Sequence, residues 1–184
     1  MSPLRYLPIA LSFIVIPTRA LAQDNDLNGR DSLKLLTSKG EGTEYRVSVD
    51  VHNDQELAGL DIPLRFGAKL DPVNLVSVEW SDRVLNWDFK HAEIDNANKT
   101  VILGLIAELG STHPDPNLPP LTVGIPTIAT LVFKVEGDHR PELSTFTTEE
   151  PHHALTFLYN RLEDSVLTVK EFSPEFEVTA VAEK

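Results

Sequence analysis

The chain has 184 residues, 16 Lys and Arg against 28 Asp and Glu, a formal net charge of -12, and no cysteine. So acidic a balance, with no Lys/Arg cluster to offset it locally, argues against nucleic acid and anionic lipid surfaces as partners. Without cysteine there is no disulfide framework and no lipid anchor through a thiol, so the fold must rest on its apolar core.

The chain opens with Arg5 ahead of an apolar run from Tyr6 to Pro17 and then Ala20-Leu21-Ala22, a small-x-small pattern. That is the form of a secretory signal peptide over residues 1–22, and it predicts cleavage near Ala22 and a secreted or periplasmic location. No later stretch approaches the roughly 20 apolar residues of a membrane helix. The rest is the length of one ordinary domain, expected over residues 32–184, which buries roughly 70% of the surface its unfolded chain exposes.

Between the two lies an acidic arm, residues 23–31, expected to be flexible, which contains "DNDLNG". Asp24, Asp26 and Asn28 stand at positions one, three and five of a calcium loop, with Gly29 at six where the turn needs it. Position twelve requires a bidentate acid and holds Leu35 instead, while Asp31 falls at position eight. These three residues are the candidate metal ligands and calcium the one cofactor the sequence raises; the alternative is a solvated terminal arm.

After a first apolar stretch at 33–36, period two sets in with "YRVSVDV". Tyr45, Val47, Val49 and Val51 face one way and Arg46, Ser48 and Asp50 the other, a half-buried strand. "LDIPLRF" repeats the pattern with Leu60, Ile62, Leu64 and Phe66 inward; Pro63 cannot donate to a ladder, which predicts an edge or a bulge there. Further strands are expected at 75–80, 85–94, 101–107, 128–135, 154–159, 166–169 and 176–181, with "DNANKT", residues 95–100, as a hairpin loop. Residues 110–124, "GSTHPDPNLPPLTVG", form a long irregular loop with four prolines. Helical periodicity never persists beyond about two turns. The sum is an all-β fold, a two-sheet antiparallel β-sandwich, jelly-roll-like, of about nine strands.

Trp80 and Trp87 are the candidate carbohydrate platform, with Tyr45 and Phe89 beside them. Parity weighs against it, because Trp80 shares a stripe with Val76 and Val78, and Trp87 with Leu85 and Phe89, so both are expected in the core. His152 and His153 are adjacent and point to opposite faces of any strand, so one ion takes both only across a turn such as "EEPHH" provides. Asp88, Glu93 and Asp95 are the nearest approach to a hydrolytic acid cluster, but Asp88 and Glu93 differ in parity; no nucleophile elbow is present. Asn98-Lys99-Thr100 matches a glycosylation acceptor in the hairpin loop.

The order "YRVSVDVHNDQELAGLDIPLRF", then "VILGLIAELG" and "IPTIATLVFKV", resembles the cohesin domain over about residues 44–181. The resemblance implies a sandwich of about nine strands related to bacterial carbohydrate-binding modules, and binding through one sheet face. Cohesins bind dockerins, small calcium-loaded modules on partner enzymes, and have no catalytic residues; in that family the calcium loops belong to the partner. The expectation is therefore an exported, non-catalytic binding module, most simply for another exported protein. A carbohydrate-binding module holding extracellular polysaccharide is the alternative, and a hydrolase with an unrecognised site a more distant one.

Overall fold

The computed structural model describes residues 31–53, 57–107, 127–163, 166–172 and 175–180. The signal-like segment, Asp24, Asp26 and Asn28, and the proline-rich loop 110–124 lie outside the described residues. In chain order the strands are β1 (Ser32–Lys39), β2 (Glu44–His52), β3 (Gly59–Arg65) and β4 (Val73–Trp80), then a 3-10 turn at Asp82–Val84. There follow β5 (Phe89–Asp95), β6 (Thr100–Ile106), β7 (Thr127–Val135) and the short β8 (Ser144–Thr145), β9 (Thr148–Glu149) and β10 (His152–His153). The chain closes with β11 (Thr156–Glu163), β12 (Val166–Phe172) and β13 (Glu175–Ala180).

These strands make a two-sheet sandwich. One sheet is five-stranded, in the order β13-β1-β2-β7-β4; the other is six-stranded, in the order β12-β11-β3-β6-β5 with β8 also beside β3. β9 and β10 form a separate hairpin. Alternation was a sound guide to the core: Val47, Val49 and Val51 of β2 and Ile62 and Leu64 of β3 are fully buried, as is Phe66. Each such side chain contributes about 1.5–3 kcal/mol by leaving water. Phe66 and Phe133 of β7 meet edge-to-face at 5.2 Å, tying the two sheets together. The ladders are antiparallel except that β13 runs parallel to β1, a departure from an all-antiparallel sandwich.

Three local expectations change. The ladder of β4 with β7 shifts between Leu75 and Ser77, a bulge that reverses parity. Val73 and Leu75 face the core before it, Val78 and Trp80 after it, and Val76 is thrown outward at 53% exposure. The strand expected at 85–94 begins only at Phe89. Before it the 3-10 turn drops Val84 and Trp87 into the core, and Lys90 Nζ donates to the carbonyls of Leu85 and Trp87 at 2.9 and 2.6 Å. Finally, β3 is not an edge strand. Along one side it pairs with β11 over Gly59–Asp61 and with β8 over Leu64 and Arg65. Pro63 sits in the gap between them, its carbonyl accepting from Phe146 N–H at 3.3 Å. The missing N–H therefore falls where the partner changes and leaves no bond broken.

Candidate functional site

Register on the six-stranded sheet aligns the outward residues in rows. Phe89, Ile106, Gly59 and Leu158 are successive cross-strand partners on β5, β6, β3 and β11. The next row is His91, Gly104, Asp61 and Thr156, and the next Glu93, Ile102 and Pro63. Both glycines are floors for a neighbour. A Cβ on Gly104 would touch the Phe89 ring at 3.5 Å, and one on Gly59 would meet Leu158 Cδ1 at 2.9 Å. The Phe89 ring, 39% exposed, thus lies across Gly104 with the His91 ring 6.1 Å away. An apolar strip results, low in the middle and continuous across four strands.

One side of this strip is bounded by the β9–β10 hairpin. His153 Nδ1 stands 3.0 and 3.2 Å from the two Asp61 carboxylate oxygens, and His153 N–H donates to Thr148 Oγ1 at 3.0 Å. Burial pushes the Asp61 carboxyl above its ordinary range; the bonds from His153 and from Ala154 N–H pull the other way without overcoming it. At the far end, Asp95 accepts from Ala97 N–H, Asn98 N–H and Asn98 Nδ2. Those bonds, the backbone one from Asn98 foremost, hold its carboxyl below the usual range.

The five-stranded sheet presents a different outer face. Lys34 pairs with Glu177 at 3.0 Å, Arg46 with Glu44 at 3.1 Å and also with Glu79, and Thr127 Oγ1 donates to Asp50 at 2.7 Å. Between them lie Ser48 and Thr130, aligned across β2 and β7. This face is polar and largely charge-neutralised.

The residues singled out from sequence fall as follows. Trp87 is 4% exposed and Trp80 packs partly buried against the core, so they do not form a pair of open rings for a sugar. Asp88 precedes β5 rather than lying on it, while Glu93 and Asp95 share its outer face. His152 is exposed and His153 is committed to Asp61. Among the described residues no group of three or more His, Asp or Glu side chains is arranged to hold a metal ion. Lys99, in the hairpin loop between β5 and β6, is buried with a positive φ of 60° and donates to Val73 O and Asn74 Oδ1. Sequence reasoning passed over Gly59, Gly104, Ile102, Ile106 and Leu158 as site residues, because the strip exists only once register aligns four strands.

No family model matches the chain, and no curated protein matches it. Solved structures do. The seventh ScaB type I cohesin of Pseudobacteroides cellulosolvens superposes with a TM-score of 0.52 at 16% identity, covering 83% of this chain and 94% of that one. The OlpA cohesin of Clostridium thermocellum, solved in complex with a dockerin, gives 0.56 at 13% identity over 83% and 100% of the two chains. The third ScaC cohesin of Acetivibrio cellulolyticus, solved with the ScaB dockerin, gives 0.56 at 12% identity over 83% and 99%. The protein therefore has a cohesin-like fold, as its sequence pattern implied.

Proposed function

We propose that this chain is an exported, non-catalytic module that docks another protein on the outer face of its six-stranded sheet. The observation that carries the reading is the strip of Phe89, Ile106 and Leu158 over the glycine floors, in an acidic molecule whose opposite face is closed by ion pairs. Affinity at such a surface comes from a few desolvated anchors, aromatic ones above all. The OlpA and ScaC cohesins were each solved with a dockerin bound, which supports a dockerin-type module on a second exported protein as the partner. The signal-like first 22 residues support a secreted or periplasmic location. In this reading the chain needs no cofactor of its own. Calcium would act through the partner, and titrating calcium into the chain and into a form starting at Ser32 tests whether Asp24, Asp26 and Asn28 bind it too.

The experiment is capture from the exported proteome of the source organism, with and without a calcium chelator. Gly104→Arg plants a long side chain in the middle of the strip, where an added Cβ makes only an ordinary contact with the Phe89 ring at 3.5 Å; Thr130→Arg places one on the polar face. A stoichiometric partner retained by the wild type and Thr130→Arg but lost with Gly104→Arg is the expected result. Equal capture by Gly104→Arg, or no partner in either condition, would sink the proposal.

A further inference from the structure

One sheet ends at β4 and the other at β5, Asn96 just after β5 reaches Leu75 of β4, and the two edges are treated differently. An open edge strand offers unpaired N–H and C=O groups to any other chain, and proteins guard such edges with bulges, prolines, charges or covering groups. β4 is guarded. It carries the bulge at Val76, and the Asn96 side chain covers it like a short strand, accepting from Leu75 N–H at 2.8 Å and donating to Leu75 O at 3.0 Å.

β5 has no bulge and no proline, and among the described residues no side chain covers it as Asn96 covers β4. Its ladder with β6 runs unbroken from Phe89 to Asp95, it contains no proline, and among the described residues no strand lies on its other side. Its lysine, the usual guard, is bent away: Lys90 Nζ is held by the carbonyls of Leu85 and Trp87. Phe89 and Ile94, 39% and 37% exposed, flank the open edge.

We propose that β5 is a strand-addition edge whose occupant is a second copy of this chain, paired antiparallel about a two-fold axis at Ala92. The argument is self-complementarity. Across a two-fold, residues that face each other must lie on the same side of the sheet, so the axis falls on a residue. An axis at His91 sets histidine against histidine and leaves Ile94 and Asp95 unpaired; an axis at Glu93 sets glutamate against glutamate. At Ala92 the whole strand pairs, with Phe89 opposite Asp95, Lys90 opposite Ile94, and His91 opposite Glu93 twice over. Cross-strand pairs of complementary chemistry stabilise a sheet and like charges destabilise it, which selects this register. The assembly joins the two six-stranded sheets edge to edge and leaves both docking strips open side by side. It stands whether or not the docking proposal does.

The test is sedimentation velocity on the purified, secreted chain across a concentration series. Wild type is expected to dimerise. His91→Glu, an exposed substitution that sets a second carboxylate against Glu93 of the other copy, should weaken the dimer about tenfold, and adding Glu93→His should restore it. Because the chain has no cysteine, Ala92→Cys provides a second readout: any disulfide joins two copies, and oxidation should yield a covalent dimer. A wild type that sediments as a monomer at every concentration overturns the proposal, as does a dimer indifferent to His91→Glu in which Ala92→Cys fails to cross-link.

Discussion

The two outer faces of the sandwich are built from the same alternation, yet one is saturated and the other is open. On the five-stranded sheet most outward positions are polar, with Leu36, Val76 and Val132 the exceptions, and Lys34, Arg46, Asp50, Glu79 and Glu177 all find partners. On the six-stranded sheet the outward row of Phe89, Ile106, Gly59 and Leu158 is apolar, with Ile102 and Pro63 beyond it, while His91, Glu93 and Thr156 stand among them and Asp61 is tied to His153 at the margin. Backbone geometry does not distinguish the faces; the side chains do. A face that is only solvated needs charge and hydroxyls, whereas a face that is to be covered keeps apolar surface and relief.

The comparison breaks most sharply on binding. Gly104→Arg is expected to lower partner affinity by at least about thirtyfold, the loss of a hot-spot contact, with Thr130→Arg within about twofold of wild type in the same titration. On stability, Gly59→Ala should cost about 1–3 kcal/mol in chemical denaturation, since its Cβ overlaps Leu158 and nears Leu105 O. Gly104→Ala, with only an ordinary contact to Phe89, should be tolerated. Asn96→Ala leaves Leu75 N–H and O without their side-chain partners and should cost about 1–2 kcal/mol, together with faster amide exchange at Leu75.

A smaller effect concerns pH. Because burial raises the Asp61 pKa above its ordinary 3.8, the folded state holds this proton more tightly than the unfolded state does. Its contribution is therefore fully present below pH 3.8 and is lost as pH rises through the folded value. Asp61→Asn should show a flatter denaturation profile over that window; an unchanged slope would show that Asp61 ionises freely in the fold. The smallest change is expected on the polar face, where Arg46→Ala removes exposed pairs to Glu44 and Glu79. The loss should be slight in dilute buffer and vanish in high salt, because exposed pairs are screened.

The amino-acid order by itself determined the strands, the inward set and the all-β class. A period of two is local, and Val47, Val49, Val51, Ile62 and Leu64 had to bury together whichever sheet received them. It also carried the cohesin-like pattern, which the solved structures match in fold. Where alternation misled, a local irregularity had reset it: the bulge turned Val76 outward, and the 3-10 turn and late start of β5 left Leu85 and Phe89 exposed although Trp87, in the same stripe, reached the core as expected. The burial of Lys99 depended on Val73 and Asn74, 26 and 25 residues away. Only the tertiary structure decided which outer face was apolar, since Phe89, Gly104, Gly59 and Leu158 come from four strands and become one surface through register. Only it left β5 without a second strand among the described residues while Asn96 covered β4. Those are relations between distant segments, fixed by hydrogen-bonded pairing across the sheets rather than by any pattern along the chain.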